Sequence, residues 1–412
     1  MTMYKRIHIV VLLLCIISFG AAFPVYAAEE DQGKPILSSD SAILIDAKTG
    51  TVLFAHNEEK QQFPASITKI VTGIIAMESD QDLSSLVTTS KEARNEEGTR
   101  IYLEEGEQQT LFNLLYGMLM NSGNDAATAI AEFIDGSKAK FAERMNRFVV
   151  EKAGATHTHF VNPSGLPDPE QYTTAMDMAK IARYAMQNRL FRTIVGTKTL
   201  PWNGQTWKTT LVNHNEMLGN YEGTTGIKNG YTGDSGFTLV TSAKRGDLEL
   251  IGVLLKSPTK SALYKDMTKL LDYGFQHFDL QQVRAANPAY PLAGTEPENS
   301  ATDEPLYAVV PKGETPVITV TPDREVKVLT SLGEYSAGKL KPISPNMAAI
   351  ARQYGDIDAS VQRAVLKEDV PKEPSASTKV KIFIVWVGLM AYLCLIAVIR
   401  VRRNRIQRGR SF

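Results

Sequence analysis

Residues 226–256 read GIKNGYTGDSGFTLVTSAKRGDLELIGVLLK. Two β-branched, apolar runs flank a Lys-Arg-Gly-Asp turn, which predicts a pair of antiparallel strands. Just ahead of them stands Lys228-Asn229-Gly230. A lysine there is either a solvated turn residue or a fixed positive charge at a sheet edge, and the rest of the chain must decide between the two.

Outward from this pair, SAILIDAKTGTVLFAHNE (41–58) reads as two strands joined by a Lys-Thr-Gly turn. PASITKIVTGIIAMES (64–79) has apolar residues at helical spacing behind a proline start. From about 107 to 195 the pattern stays helical, strand signals return over 192–256, and SALYKDMTKLLDYGFQHF (261–278) predicts a closing helix. Strands, many helices, strands and a helix imply an α+β domain whose N- and C-terminal strands pair in a mainly antiparallel sheet. Residues 280–345 turn rich in Pro, Thr and Val, with short runs LYAVV, VITVT and EVKVLT, and predict a small all-β domain. Residues 346–378 read as a polar linker.

The 412 residues are 43% hydrophobic and 22% charged, with Lys+Arg and Asp+Glu both 45. Zero net charge gives nucleic-acid binding no support. At the N-terminus Lys5 and Arg6 precede an apolar run ending in Val25-Tyr26-Ala27, the pattern of a signal peptide over 1–28. Near the C-terminus residues 382–399 form an uncharged run of 18, followed by six arginines between 400 and 410. This predicts a transmembrane helix over 379–400 and a cytoplasmic basic tail over 401–412, with residues 29–279 as the main exported domain. Cys15 and Cys394 both lie in these apolar segments, so disulfides and thiol chemistry are excluded from the exported part.

Three short motifs carry chemistry. Ser66-Ile67-Thr68-Lys69 puts a hydroxyl and an amine on one face of a helix start, where a desolvated lysine can activate the serine. Ser-x-x-Lys also occurs at 137, 257 and 336, but only Ser66 opens a strongly apolar helix. Ser122-Gly123-Asn124 lies between two helical runs; a hydroxyl and an amide two apart can relay a proton and hold a carbonyl, or merely cap helices. Lys228-Asn229-Gly230 can present an ammonium and an amide donor to a carboxylate, with glycine allowing close backbone approach.

In this order the three motifs resemble the active site of penicillin-binding proteins and serine β-lactamases. The segments ASITKIVT, NSGNDAA, NPSGLPD and GIKNGYTGDSGFTLV are most similar to those of the low-molecular-weight D-alanyl-D-alanine carboxypeptidases. The resemblance spans roughly residues 36–345 and implies a β-lactamase/transpeptidase-like domain, a small β domain and a membrane attachment. It implies Ser66 as the acylated nucleophile, Lys69 as its base and Ser122 as a proton relay. Asn124, Lys228, Asn229, Gly230, Tyr231 and Thr232 then bind substrate, with the N–H groups of Ser66 and Tyr231 as the oxyanion hole. The substrate implied is a peptidoglycan stem peptide ending in D-Ala-D-Ala, with β-lactams as acylating inhibitors and no cofactor or metal. Asn229 departs from the family, which usually has Thr or Ser there, and an amide cannot relay a proton.

Three rivals remain on the residues alone. A β-lactamase needs a carboxylate base, for which Glu170 is the candidate, but the asparagine expected after it is missing. A zinc peptidase has only His157 and His159, without a third spaced ligand. A wall-binding pseudoenzyme would treat Asn229 as the mark of a decayed site.

Overall fold

The structure, a computed structural model, describes residues 33–284 and 300–342. The expected signal peptide, linker, membrane helix and basic tail lie outside the described residues. No helix among those described is long and apolar enough to cross a membrane. The described residues fall into two compact units. The first takes in the chain up to Arg284 with Pro305–Thr319 and Glu325–Lys339; the second holds the described parts of Ala286–Glu304, Val320–Arg324 and Leu340–Phe412.

The first unit is built on strands β1 (Ser41–Asp46), β2 (Val52–His56), β3 (Leu86–Thr88), β4 (Gln108–Thr110), β5 (Thr199–Asn203), β6 (Lys208–Val212), β7 (Thr224–Thr232), β8 (Gly236–Arg245) and β9 (Leu248–Ser257). Five of them form one antiparallel sheet in the order β2-β1-β9-β8-β7. The expected pairing of first and last strands holds, with Ser41 opposite Leu255.

Both faces of this sheet are covered. Side chains alternate along a strand, so Ile43, Ile45, Ile251, Val253 and Leu255 join the larger core, while Ala42, Leu44, Leu250 and Leu254 face the other way. This explains why residues 250–255, LIGVLL, read as an unbroken apolar run rather than an alternating one. The larger core is filled by helices α1 (Lys69–Met77), α2 (Lys91–Arg94), α3 (Leu111–Asn121), α4 (Asn124–Asp135), α5 (Lys138–Ala153), α6 (Ala175–Ala185) and α7 (Arg189–Gly196). Helix α8 (Lys260–His277) covers the other face through Leu263, Met267, Leu270 and Leu271. Thr110, Ser137, Thr174 and Thr259 cap α3, α5, α6 and α8, each accepting from the N–H three residues on.

Two stretches differ from the reading of the sequence. The run read as helical opens with a strand, β4, which pairs with β3, and is interrupted at residues 154–174 by a loop held by the bridges Gln62–Thr173 and His159–Tyr172. Helix α7 extends into the segment read as strand. Its β-branched Thr193, Ile194 and Val195 favour strand locally, but Phe191, Ile194 and Val195 bury one helical face, and packing outweighs propensity.

Strand β10 (Phe278–Arg284) follows α8 directly. Beyond the gap come β11 (Ser300–Ala301), β12 (Leu306–Pro311), β13 (Val317–Val320), β14 (Glu325–Thr330), β15 (Gly333–Lys339) and β16 (Lys341–Pro342). In the first unit β10 pairs with β12 and β14 with β15, over a small core of Ala308, Val310 and Val328. In the second, β11 pairs with β16. The Lys-Thr-Gly lysine of the β1–β2 turn, Lys48, packs its ammonium over the ring of Tyr307.

Candidate active site

The chain enters the site through Pro64 and Ala65, whose φ of +50° is an unfavourable backbone for alanine. A 3-10 turn, Ala65–Thr68, then feeds into α1, so Ser66 stands half-buried at the mouth of a helix whose residues 69–76 are all buried. Lys69 is fully buried, and its Nζ lies 3.0 Å from Ser66 Oγ, 2.6 Å from Asn124 Oδ1 and 2.6 Å from the Ser164 carbonyl oxygen.

These three neighbours settle what a neutral Lys69 does. A neutral amine has two N–H groups and one lone pair. Carbonyl oxygens only accept, so Asn124 and Ser164 take both N–H groups. The lone pair is left facing Ser66, whose O–H alone among the three can donate. Burial, and next the charge of Lys228, push the Lys69 pKa well below that of an ordinary lysine. A hydroxyl beside such an amine is an activated nucleophile.

The second motif forms the turn between α3 and α4. Ser122 ends α3 in the left-handed region at φ +65°, and Asn124 opens α4. Ser122 is the C-cap residue of α3 through its backbone N–H, which donates to the Gly117 carbonyl, but neither side chain makes a capping hydrogen bond. Ser122 is 5% exposed, and among the described residues no hydrogen bond engages its hydroxyl. The Asn124 carboxamide is held at both ends, its Nδ2 donating to the Glu97 carbonyl at 2.6 Å.

The third motif lies on β7, the sheet edge that the sequence implied. Lys228 is 1% exposed, and Nζ donates to its neighbour's carbonyl, Asn229 O, at 2.9 Å and to Asn229 Oδ1 at 3.4 Å. Burial lowers its pKa to about 7. His214 is pushed down to about 4 by burial first and then by the charges of Lys228 and Lys260. At Gly230 a Cβ would stand 2.6 Å from Ser66 N and 2.7 Å from Thr238 Oγ1. Only glycine lets the strand lie this close to the Ser66 backbone. Thr238, opposite Gly230, donates to the Pro64 carbonyl at 3.0 Å and ties the sheet to the Ser66 turn. Tyr231 is 58% exposed, with its ring 4.4 Å from that of Phe237. The Thr232 hydroxyl is bonded to Ser235 at 2.8 Å.

One component was missed by sequence reasoning. In the turn 162–166, Asn162 Oδ1 accepts from the N–H groups of Ser164, Gly165 and Leu166 and so aims the Ser164 carbonyl at Lys69. The Pro163 carbonyl accepts from Thr72 of α1 at 2.6 Å. Asn-Pro-Ser-Gly is a recognisable turn sequence, but nothing in it marks which carbonyl matters. His157, His159 and Glu170 stand apart from this network: His157 Nδ1 lies 3.7 Å from Glu59, and His159 Nδ1 bonds the Glu170 backbone carbonyl. Among the described residues no cluster of three acidic, His or Cys side chains is placed to hold a metal ion.

Residues 28–259 match the peptidase S11 family, described as D-alanyl-D-alanine carboxypeptidase. The chain is 34% identical over 299 residues to the D-alanyl-D-alanine carboxypeptidase DacF of Bacillus subtilis, covering 71% of this chain and 73% of that protein. Among solved structures it is similar to penicillin binding protein 6B from Escherichia coli, at 29% identity and TM-score 0.61, covering 74% of this chain and 94% of that one. It is also similar to the Streptomyces K15 DD-transpeptidase, at 30% identity and TM-score 0.56, covering 59% and 99%.

Proposed function

The chain belongs to the D-alanyl-D-alanine carboxypeptidase family, and from that premise we propose how its residues run the reaction. The chain is a penicillin-binding serine peptidase that removes the terminal D-alanine from peptidoglycan stem peptides. Ser66 Oγ attacks the carbonyl of the penultimate D-alanine while its proton passes to the Lys69 lone pair. The N–H groups of Ser66 and Tyr231 hold the oxyanion, a placement that the close approach of Gly230 to Ser66 N supports. Ser122 returns a proton to the leaving amine, and D-alanine departs. Water then cleaves the ester on Ser66 and frees the shortened peptide. Lys228, with the Asn229 amide beside it, draws in the terminal carboxylate; Asn124 holds Lys69 and flanks the peptide, and Thr232 lies beyond on the same strand. A β-lactam acylates the same serine.

The observation that carries this reading is the set of three contacts at Lys69 Nζ, which leaves a lone pair for Ser66. It also weighs against a decayed site, since a pseudoenzyme has no reason to keep a base so arranged. The tail beyond the sheet domain is read as a small β-rich domain over 280–345 that spaces the enzyme from a membrane helix over 379–400. Export by residues 1–28 and the arginines of the tail support a catalytic unit outside the cell with its C-terminus inside.

The test is D-alanine release from a D-Ala-D-Ala-terminated pentapeptide by residues 29–377, beside Ser66→Ala and Lys69→Met. Release that vanishes in both variants is the expected result. A folded wild-type chain that releases none, or a Ser66→Ala chain that still does, would sink the assignment.

A further inference from the structure

The loop carrying residues 97–103 is tied to the Ser122-Gly123-Asn124 turn along its whole length. Asn124 donates from its backbone N–H to the Thr99 carbonyl at 2.8 Å and from Nδ2 to the Glu97 carbonyl. The carboxylate of Asp125, 1% exposed, accepts from the N–H of Ile101 at 3.0 and 3.1 Å and from the N–H of Leu103 at 3.1 Å. Two N–H groups, one residue apart, thus converge on one buried anion. Ile101 and Leu103 go into the core, and the residue between them turns outward.

That residue is Tyr102. Its φ is +57°, a strained backbone for a bulky side chain, and its ring is left half in water at 52% exposure. The edge of Trp207 meets it at 5.3 Å, and the Arg100 guanidinium lies 5.5 Å from its centroid. A large ring is thus held on strained backbone with half of its surface in water. The clamp fixes it in place before any ligand arrives, which is what a recognition surface requires.

We infer that Tyr102 contacts substrate and sets specificity on the acyl side of the scissile bond. The inference rests on the reaction proposed above, in which the leaving D-alanine lies toward Lys228 and Gly230. The Asn124 wall, to which the Tyr102 loop is bound, then takes the part of the peptide before the scissile bond. The ring offers an aromatic face to the aliphatic side chain of the residue that precedes D-Ala-D-Ala. Asp125 acts only through the loop and is a positioning residue.

The experiment compares kcat/KM for a stem pentapeptide with that for N-acetyl-D-Ala-D-Ala, which lacks the contacted residue, using the full-length chain in detergent. Tyr102→Ala should lower the pentapeptide-to-dipeptide ratio about tenfold, the range of a lost aromatic contact. Tyr102→Phe keeps the ring and should hold the ratio within about twofold. Labelling of Ser66 by a fluorescent penicillin checks that the variants are folded. A ratio unchanged in Tyr102→Ala, with both substrates slowed alike or not at all, overturns the inference. A wild-type chain that releases D-alanine from neither substrate overturns the carboxypeptidase assignment, and this inference with it.

Discussion

Two buried lysines set the behaviour of the site at the level of single residues, and they need opposite charge states. In the proposed reaction Lys69 works without its proton, and Lys228 attracts a carboxylate only with one. Activity should therefore rise with pH as Lys69 deprotonates and fall as Lys228 does, about pH 7 in the free enzyme. A bell-shaped kcat/KM profile, whose alkaline limb disappears in Lys228→Met, is the expected outcome. The same variant separates function from stability. The folded pKa of Lys228, about 7, lies below its unfolded value of 10.5. Between these values the unfolded chain holds a proton that the folded chain has lost, so this site's cost is full below pH 7 and fades toward 10.5. Lys228→Met should melt above wild type at about pH 6, with the gap closing toward about pH 10, while kcat/KM drops a hundredfold or more. Thermal melts across that range check the sign.

At the level of elements, a whole turn shares with the Asn124 side chain the hold on Lys69, the proposed base. Gly165 sits at φ +88°, and a Cβ there would come 1.8 Å from the Ala65 carbonyl oxygen. No rotamer relieves a clash with main chain, so Gly165→Ala must push the 162–166 turn away from Ser66. Penicillin acylation of this variant should slow at least tenfold, the cost of a displaced catalytic group; acylation at the wild-type rate would refute the role given to the turn. The sequence marks Ser66, Lys69 and Lys228 as candidates, because residue type, spacing and order are written in it. It hides the Ser164 contribution, because a carbonyl oxygen has no letter. Asp125 reads as an acidic residue in the first turn of a helix, where such charges are common, and its bonds to Ile101 and Leu103 appear only in space. The end of helix α7, where the helical and strand readings overlapped from 192, was ambiguous for a related reason: three β-branched residues state a local preference that the core overrules.

The molecule as a whole is constrained by where its sheet closes. Strand β1 lies between β2 and β9, so the first strand cannot be enclosed until nearly the last of the sheet domain is present. Every helix of the larger core lies between them in the chain. Such long-range pairing makes folding late and cooperative rather than progressive. Chains truncated before Leu248 should therefore bind no fluorescent penicillin, although they contain Ser66, Lys69, Ser122 and Lys228. Labelling of a chain ending at 247 would show that the sheet closes otherwise. Most of this architecture was legible, since alternation and apolar runs mark the strands. The short β3–β4 pair was not, because three residues in each strand carry too little pattern to read.

The Ser164 carbonyl has a consequence for how this site tolerates inheritance. A contact made by main chain belongs to no side chain, so no codon at 164 can delete it, whereas 162 and 165 have little freedom. Under random mutagenesis with selection for activity, position 164 should drift among small residues while its neighbours stay put. The chain has thus entrusted half of the hold on Lys69 to an atom that mutation cannot reach directly.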